Sequence, residues 1–199
     1  MRLKPLLLSV LPAAAVVAAM ACNTDPVYPG NQFLGTFQFE ARLDPANTTC
    51  DASMPEFAQV DDAGVFRFEG TFSRNEDGGT GWLTVQGFNR DAKFDGQQVD
   101  SLLRATSLRA SCGSTCKDSQ IEESLKVTLF SDSQARLLNR DCNGFDGGIP
   151  DASPPAPTES GYDVALACGA LTDVFLPGSC TCNPTTCRTA YKVQGVRRD

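Results

Sequence analysis

The sequence predicts an all-β protein, a single antiparallel barrel or sandwich of about eight strands. Apolar and polar side chains alternate in several short segments, turn-forming residues separate these segments, and helical periodicity is almost absent. Glycines also lie inside the strand patterns, at Gly35, Gly70 and Gly87, and they suit the bends of a strongly coiled or closed sheet. This last observation favours a barrel over a sandwich.

The first half of the chain supplies most of the expected strands. In residues 33–43 the odd-numbered positions, Phe37 and Phe39 among them, are apolar or small and the even-numbered ones after Leu34 are polar. Residues 64–73 alternate in the same way, with Phe66, Phe68, Gly70 and Phe72 on one face. A turn over 75–79 leads into residues 81–88, and Asp95-Gly96 predicts a type I′ hairpin followed by a longer strand over 98–110.

The second half predicts a short helix and a long loop between further strands. Residues 124–130 alternate again, and residues 131–140 predict a helix with Ser131 or Asp132 as N-cap and Leu137 and Leu138 on its buried side. Residues 143–160 are rich in Gly, Pro, Asp and Ser and predict an exposed loop. Strands are expected over 161–168, 171–176 and 189–196, the first with Tyr162, Val164, Leu166 and Cys168 on one face.

Composition argues against several classes of function. The 199 residues include 17 Lys and Arg, 24 Asp and Glu and no histidine, for a formal net charge of −7. This acidity argues against a nucleic-acid partner. The lack of histidine excludes Ser-His-Asp and Cys-His catalysis and histidine-ligated zinc.

Residues 1–21 have the features of a signal peptide. Arg2 and Lys4 precede a short apolar stretch that ends in small residues. The run Ala-Met-Ala-Cys at residues 19–22 resembles the lipobox of bacterial lipoproteins, and the resemblance implies that Cys22 is acylated and becomes the N-terminus. Asn23 after it implies the outer membrane. A plain cleavage after Ala21, which would give a secreted protein, stays open.

We expect a flexible tether over 22–32 and a single domain over 33–199.

The cysteine count agrees with export. Without Cys22 an even number remains, and an oxidising compartment would let four disulfides persist. Sequence does not choose their connectivity. Neighbouring positions suggest Cys112 with Cys116, Cys187 with Cys180 or Cys182, and Cys142 with Cys168 across the Pro-rich stretch. A thiolate metal cage is the competing interpretation for residues 112, 116, 180, 182 and 187. The expected disulfide cysteines are Cys50, Cys112, Cys116, Cys142, Cys168, Cys180, Cys182 and Cys187.

Catalytic residues are not apparent in the sequence. Adjacent acids at Asp61-Asp62 and Glu122-Glu123 leave a carboxylate-dependent glycan-acting enzyme as one alternative. The stretch from Asp141 to Asp146 partly matches an oxygen-rich calcium loop, although it fails the EF-hand template. The many phenylalanines and Trp82 fit an ordinary core better than a ligand cavity.

Two further resemblances bear on function. Gly35-Thr36-Phe37 resembles the Gly-x-Trp start of lipocalin-type barrels, with phenylalanine in place of tryptophan. The lipobox-like start, the segment FDGGIPDASPP and the tail CTCNPTTC with YKVQGVRR resemble uncharacterised secreted lipoproteins of myxobacteria, a likeness that implies no activity. We therefore expect a monomeric, non-enzymatic, lipid-anchored cell-envelope protein without cofactors, whose partner is an envelope protein or a small apolar ligand. A lipocalin-like carrier of a hydrophobic ligand is the alternative.

Overall fold

A computed structural model describes residues 28–50, 60–106, 119–158, 161–177 and 186–198. Eight long antiparallel strands form a closed barrel in which each strand pairs with its neighbours along the chain and the last pairs with the first. The all-β class and the barrel are thus confirmed, and closure leaves the sheet without a free edge. The strands and helices are β1 (Gln32–Leu43), a 3₁₀ turn (Pro45–Asn47), β2 (Val65–Arg74), β3 (Thr80–Val85), β4 (Phe88–Asp95), β5 (Gln98–Thr106), β6 (Gln120–Phe130), α1 (Asp132–Leu137), β7 (Pro157–Thr158), β8 (Gly161–Tyr162), β9 (Leu166–Leu176) and β10 (Cys187–Arg197). The short β7 and β8 pair only with each other.

A bulge at the start of β1 changes which residues face the core. Phe33 pairs with Ser73 and Gly35 pairs with Phe72, so that Leu34 is an extra residue in β1. Gly35 absorbs the bend with φ of 140°. Leu34 is consequently buried inside the barrel and Phe33 is only partly buried, whereas simple alternation over 33–43 predicts the reverse. From Phe37 onward the predicted alternation is confirmed.

Two tight turns also differ from the sequence prediction. Gln86 and Gly87 both have positive φ, 51° and 79°, and form a two-residue turn of the type I′ pattern between β3 and β4. Residues 81–88 are therefore not one strand, and Gly87 lies in a turn. Between β4 and β5 only Gly96 has positive φ, which is the type II′ pattern and not the expected type I′.

Aromatic rings fill much of the barrel interior, and glycines on facing strands make room for them. Phe39 stacks on Phe68 with ring centroids 4.8 Å apart and meets Phe72 edge-on at 6.0 Å. A Cβ on Gly195 would lie 2.4 Å from the Phe39 ring, and one on Gly81 would lie 2.2 Å from the Phe94 ring. Most of the phenylalanines are thus core residues, although Phe88 is 73% exposed.

The helix α1 packs on the outside of the barrel wall. Ser131 caps it, because its hydroxyl accepts a hydrogen bond from Gln134 N while the Gln134 side chain accepts one from Ser131 N. Gln134 and Ala135 are the buried helix residues, and Leu137 is 61% exposed. Leu138 packs partly buried against the outer cluster around Phe130 and Ala135, as predicted. The expectation that Leu137 is buried is wrong, because Gln134, Ala135 and Leu138 share one face of the helix and Leu137 points away from it.

Strand β9 (Leu166–Leu176) joins the end of the predicted strand 161–168 to the predicted strand 171–176. Val164, which precedes it, belongs to the barrel core, whereas Leu166 and Cys168 lie on the outer side with Phe130 and Ala135. The predicted common face of residues 162–168 is therefore wrong, because residues 163–165 are not a strand and the alternation begins again at Leu166.

Two disulfides connect the four cysteines in the described residues. Cys142 bonds to Cys168 across the Pro-rich segment, which confirms that suggested pair, and Cys50 bonds to Cys187 with Cα atoms 4.8 Å apart. Cys187 thus pairs neither with Cys180 nor with Cys182, and as a disulfide it is not a thiolate ligand. Cys22, Cys112, Cys116, Cys180 and Cys182 lie outside the described residues.

The remaining predictions are met in part. The described residues of the loop 143–160 are mostly exposed, and β5 covers the expected strand 98–110 as far as Thr106. The predicted signal peptide lies outside the described residues, as does the predicted tether up to residue 27. The rest of the tether contacts the barrel: the Tyr28 ring packs on Phe33 at 5.1 Å, and Asn31 N donates to Arg74 O. In the described part of the chain, no helix has the length and hydrophobicity needed to span a membrane.

Candidate functional sites at the two ends of the barrel

The two ends of the barrel carry different groups. The helix end is the end next to α1, and the turn at residues 75–79 and the Gly96–Gln97 turn lie there. The opposite end, which we call the carboxylate end, has the Gln86–Gly87 turn and the interior acids Glu123 and Asp173. Each end contains a cavity that includes an arginine.

At the carboxylate end, two acids lie directly opposite each other inside the barrel. Glu123 on β6 pairs in register with Asp173 on β9, which places their Cβ atoms about 5 Å apart. Arg90 on β4 reaches across β5 and donates from Nε to Glu123 Oε1 at 2.5 Å. Asp173 is only 7% exposed, and its carboxyl makes no hydrogen bond within the described residues. Arg90 thus interacts with both facing carboxyl groups, through an ion pair with Glu123 and through charge attraction to Asp173.

The protonation of this cluster follows from that arrangement. Burial, together with the nearby negative charge of Glu123, raises the pKa of Asp173 to about 7, despite the opposing effect of Arg90. Burial and the charge of Asp173 likewise raise the pKa of Tyr191 to about 12. Asp173 is therefore protonated below neutral pH, while Arg90 forms its ion pair with Glu123.

A small cavity adjoins this cluster. Its volume is about 190 Å³, and Phe66, Phe68, Leu125 and Leu171 line it together with Arg90 and Glu123. Arg90 Nη1 is buried and lacks a hydrogen-bond partner in the described part of the chain. The volume is below the several hundred Å³ of typical ligand pockets.

Neither of the acid pairs suggested by the sequence forms a joint site. The Asp61 carboxylate accepts hydrogen bonds from the backbone N–H groups of Ala63 and Val65, which lower its pKa. Glu122 and Glu123 point to opposite faces of β6, and Glu122 pairs on the outside with Arg104 at 2.8 Å. Sequence reasoning missed Asp173, although its position between Leu171 and Phe175 on the buried face of a strand is a detectable signal.

The suggested calcium loop forms compact turns. Asp141 accepts hydrogen bonds from Asn143 N and Asn143 Nδ2, which lower its pKa, and Asp146 accepts one from Gly148 N. Within the described ranges, no three His, Cys, Asp or Glu side chains are grouped as a metal site would need.

At the helix end lies a larger cavity, which we call the Arg74 cavity. Its volume is about 560 Å³, within the range of small-molecule sites. It lies between the Gly96–Gln97 turn and the Pro-rich segment, which is tied to α1 because Ser131 Oγ donates to Ser153 O at 2.6 Å. Its apolar lining is Leu34, Phe94, Leu129, Ile149, Pro154, Pro155 and Val164.

Arg74 is the cation of this cavity. Its Nε donates to Gln32 Oε1 at 2.9 Å and its Nη2 to Tyr162 Oη at 2.6 Å. The guanidinium also lies over the Tyr162 ring, with Cζ 4.6 Å from the centroid, and 5.8 Å from the Phe94 centroid. These contacts hold the guanidinium against one wall of the cavity.

No protein-family model matches the chain, and no curated protein matches its sequence.

Proposed function

We propose that the protein is an exported, lipid-anchored component of a bacterial cell envelope that binds a small molecule and does not catalyse a reaction. The Arg74 cavity carries this proposal, because it combines a ligand-sized volume, a set of apolar side chains and an arginine held in place among its polar groups. The lipobox-like sequence at residues 19–22 supplies the anchor.

The disulfides support the proposed location. Cys50–Cys187 and Cys142–Cys168 join residues 137 and 26 positions apart. Bonds of this kind persist in oxidising compartments such as the periplasm and are rare in the cytosol. They are consistent with export and with either face of the outer membrane.

Binding is favoured over carboxylate catalysis by the burial of the acid pair. A glycan-acting enzyme needs both carboxyl groups to flank the bond that breaks. Asp173 is 7% exposed beneath packed side chains, and Glu123 is bonded to Arg90, so this pair is poorly placed to flank a sugar. The adjoining 190 Å³ cavity is also too small for a glycan segment.

Native mass spectrometry of the exported Cys22→Ser protein, purified without reductant, tests the proposal. We expect a mass deficit of two hydrogens per disulfide and a non-covalent small-molecule adduct that is lost on denaturation. An Ile149→Trp variant, which places a larger side chain at a partly exposed position of the cavity lining, should lack the adduct. The same adduct on that variant, or a free protein that gains no adduct from a cell extract, would contradict the assignment.

A further inference from the structure

We propose that the Arg74 cavity recognises a small organic carboxylate whose apolar body occupies the lined space. This inference rests on the proposed binding function and names the ligand class of the same site.

Arg74 lacks an acidic partner in the described residues. Both of its hydrogen-bond acceptors are neutral, the Gln32 amide and the Tyr162 hydroxyl. No carboxylate oxygen of the described chain lies within 4 Å of it, although Asp95 also lines the cavity. Since a partly buried cation loses solvation without gaining a counter-charge, an anion at this position is stabilised.

The unused N–H groups of Arg74 remain accessible. Nη1 has no hydrogen-bond partner among the described residues, yet it is not one of the fully buried unpaired atoms. A guanidinium fixed through Nε and Nη2 still offers the two N–H groups of Nη1 and one of Nη2. These donors match a carboxylate group, which accepts two parallel hydrogen bonds from arginine.

The rest of the cavity lining indicates the chemical character of the part of the ligand that is not the carboxylate. Ile149 and the Pro154-Pro155 pair face the barrel residues Leu34, Phe94 and Val164 across the cavity. The apolar part of this lining favours a ligand that carries an alkyl chain or a ring, and Asp95, Gln97 and Gln98 line the same cavity as polar groups. Ile149 is 47% exposed without a ligand, and a bound apolar body would cover part of it.

Titration calorimetry with three probes of equal chain length tests the inference on the folded, exported Cys22→Ser protein. We expect decanoate to bind at least about tenfold more tightly than decanol, and decylammonium to bind most weakly. This ranking needs no variant at Arg74. Equal affinity for decanoate and decanol would overturn the carboxylate assignment while leaving a binding function, whereas no binding of any probe would overturn both.

Substitutions then assign the preference to Arg74. Arg74→Met should remove the advantage of decanoate over decanol and leave decanol binding within about threefold. Arg74→Lys, which keeps the charge, should retain part of the advantage and serves if the Met variant does not fold. Arg67→Met is the matched control, because Arg67 lies on the same strand with its side chain 52% exposed on the outer face. Loss of the preference in the control, or its persistence in Arg74→Met, would contradict the role of Arg74.

Discussion

Asp173 is the residue whose environment departs most from that of an ordinary carboxyl group. Its raised pKa means that the folded protein keeps a proton that the unfolded chain releases near pH 4. Between about pH 4 and about pH 7, the free energy of unfolding should therefore fall as the pH rises. The decrease is about 4 kcal/mol for this group.

Replacing Asp173 with Asn isolates that effect. The amide does not titrate, so we expect Asp173→Asn to be more stable than the parent at about pH 8 and to lose this advantage at about pH 5. Urea unfolding at several pH values between these limits measures the difference. The chain has no histidine, so few other side chains titrate in this interval. A stability difference that does not change with pH would contradict the raised pKa.

Arg90 stabilises the same cluster, and its removal would leave two facing carboxyl groups without a cation. We expect Arg90→Leu to lower the free energy of unfolding by roughly 3 kcal/mol at neutral pH. The effect should be smaller at about pH 5, because Asp173 is then protonated. Urea unfolding provides the measurement.

A neighbouring pair supplies the control for that experiment. Arg104 and Glu122 pair on the outer face, where the arginine side chain is 65% exposed. Solvent screening makes such a pair worth less than about 1 kcal/mol, so Arg104→Leu should have little effect. Equal losses for the inner and outer arginines would show that burial of the Arg90 pair is not important.

At the residue scale, the sequence predicts which side chains of a regular strand face the core. It does not predict which residues of different strands meet. Alternation identified Phe37, Phe39 and Phe72 as core residues, because in-out alternation in a strand is a local property. It could not anticipate that Glu123 meets Asp173, since their pairing depends on strand order and register. The Arg74 cavity was likewise not visible, as its lining comes from distant parts of the chain.

Among the elements, α1 depends on its capping residue. Ser131 caps the helix and also donates to Ser153 O of the Pro-rich segment. We expect Ser131→Ala to lower the free energy of unfolding by about 1 to 2 kcal/mol. Ser153→Ala is the control, because Ser153 accepts these hydrogen bonds through its backbone carbonyl, which the substitution keeps. Chemical denaturation compares the two variants, and equal losses would argue against the capping role.

The two described disulfides should differ in their contribution to stability. In the chain-entropy description, a bridge that spans 137 residues stabilises by about 5 kcal/mol and one that spans 26 by about 3.5 kcal/mol. We therefore expect the double Ser variant of Cys50 and Cys187 to be less stable than that of Cys142 and Cys168. Urea unfolding without reductant measures the order. The reverse order would mean that the constraint on the unfolded chain is not the dominant effect.

Predictions from sequence at the scale of elements were accurate where the pattern was regular. The strands over 33–43, 64–73 and 124–130 appear in β1, β2 and β6. Errors occurred where the backbone departs from regular pleating, at the Leu34 bulge and at residues 163–165. Such breaks in alternation are set by packing against other strands, which a local pattern does not contain.

At the scale of the whole molecule, charge and the proposed lipid anchor should have opposite effects on membrane association. Without Arg2 and Lys4 the chain has 15 basic residues against 24 acidic ones, a net charge of −9. An acidic body is repelled by anionic lipid head groups, so the protein surface itself should not hold the membrane. Several acyl chains on Cys22 would exceed what stable anchoring requires.

Replacing Cys22 with Ser separates these two contributions. We expect the parent protein to sediment with membranes and to resist high salt, because acyl chains insert through the hydrophobic effect and are not screened. The Cys22→Ser protein should appear in the soluble fraction, and low salt should not return it to anionic vesicles. Fractionation followed by immunoblotting makes the comparison, with Asn23→Ser as the control that retains the acylated cysteine. If Cys22→Ser remained with the membrane, the anchor would lie elsewhere in the chain. If the parent protein were itself soluble, cleavage after Ala21 would explain the sequence and the protein would be secreted.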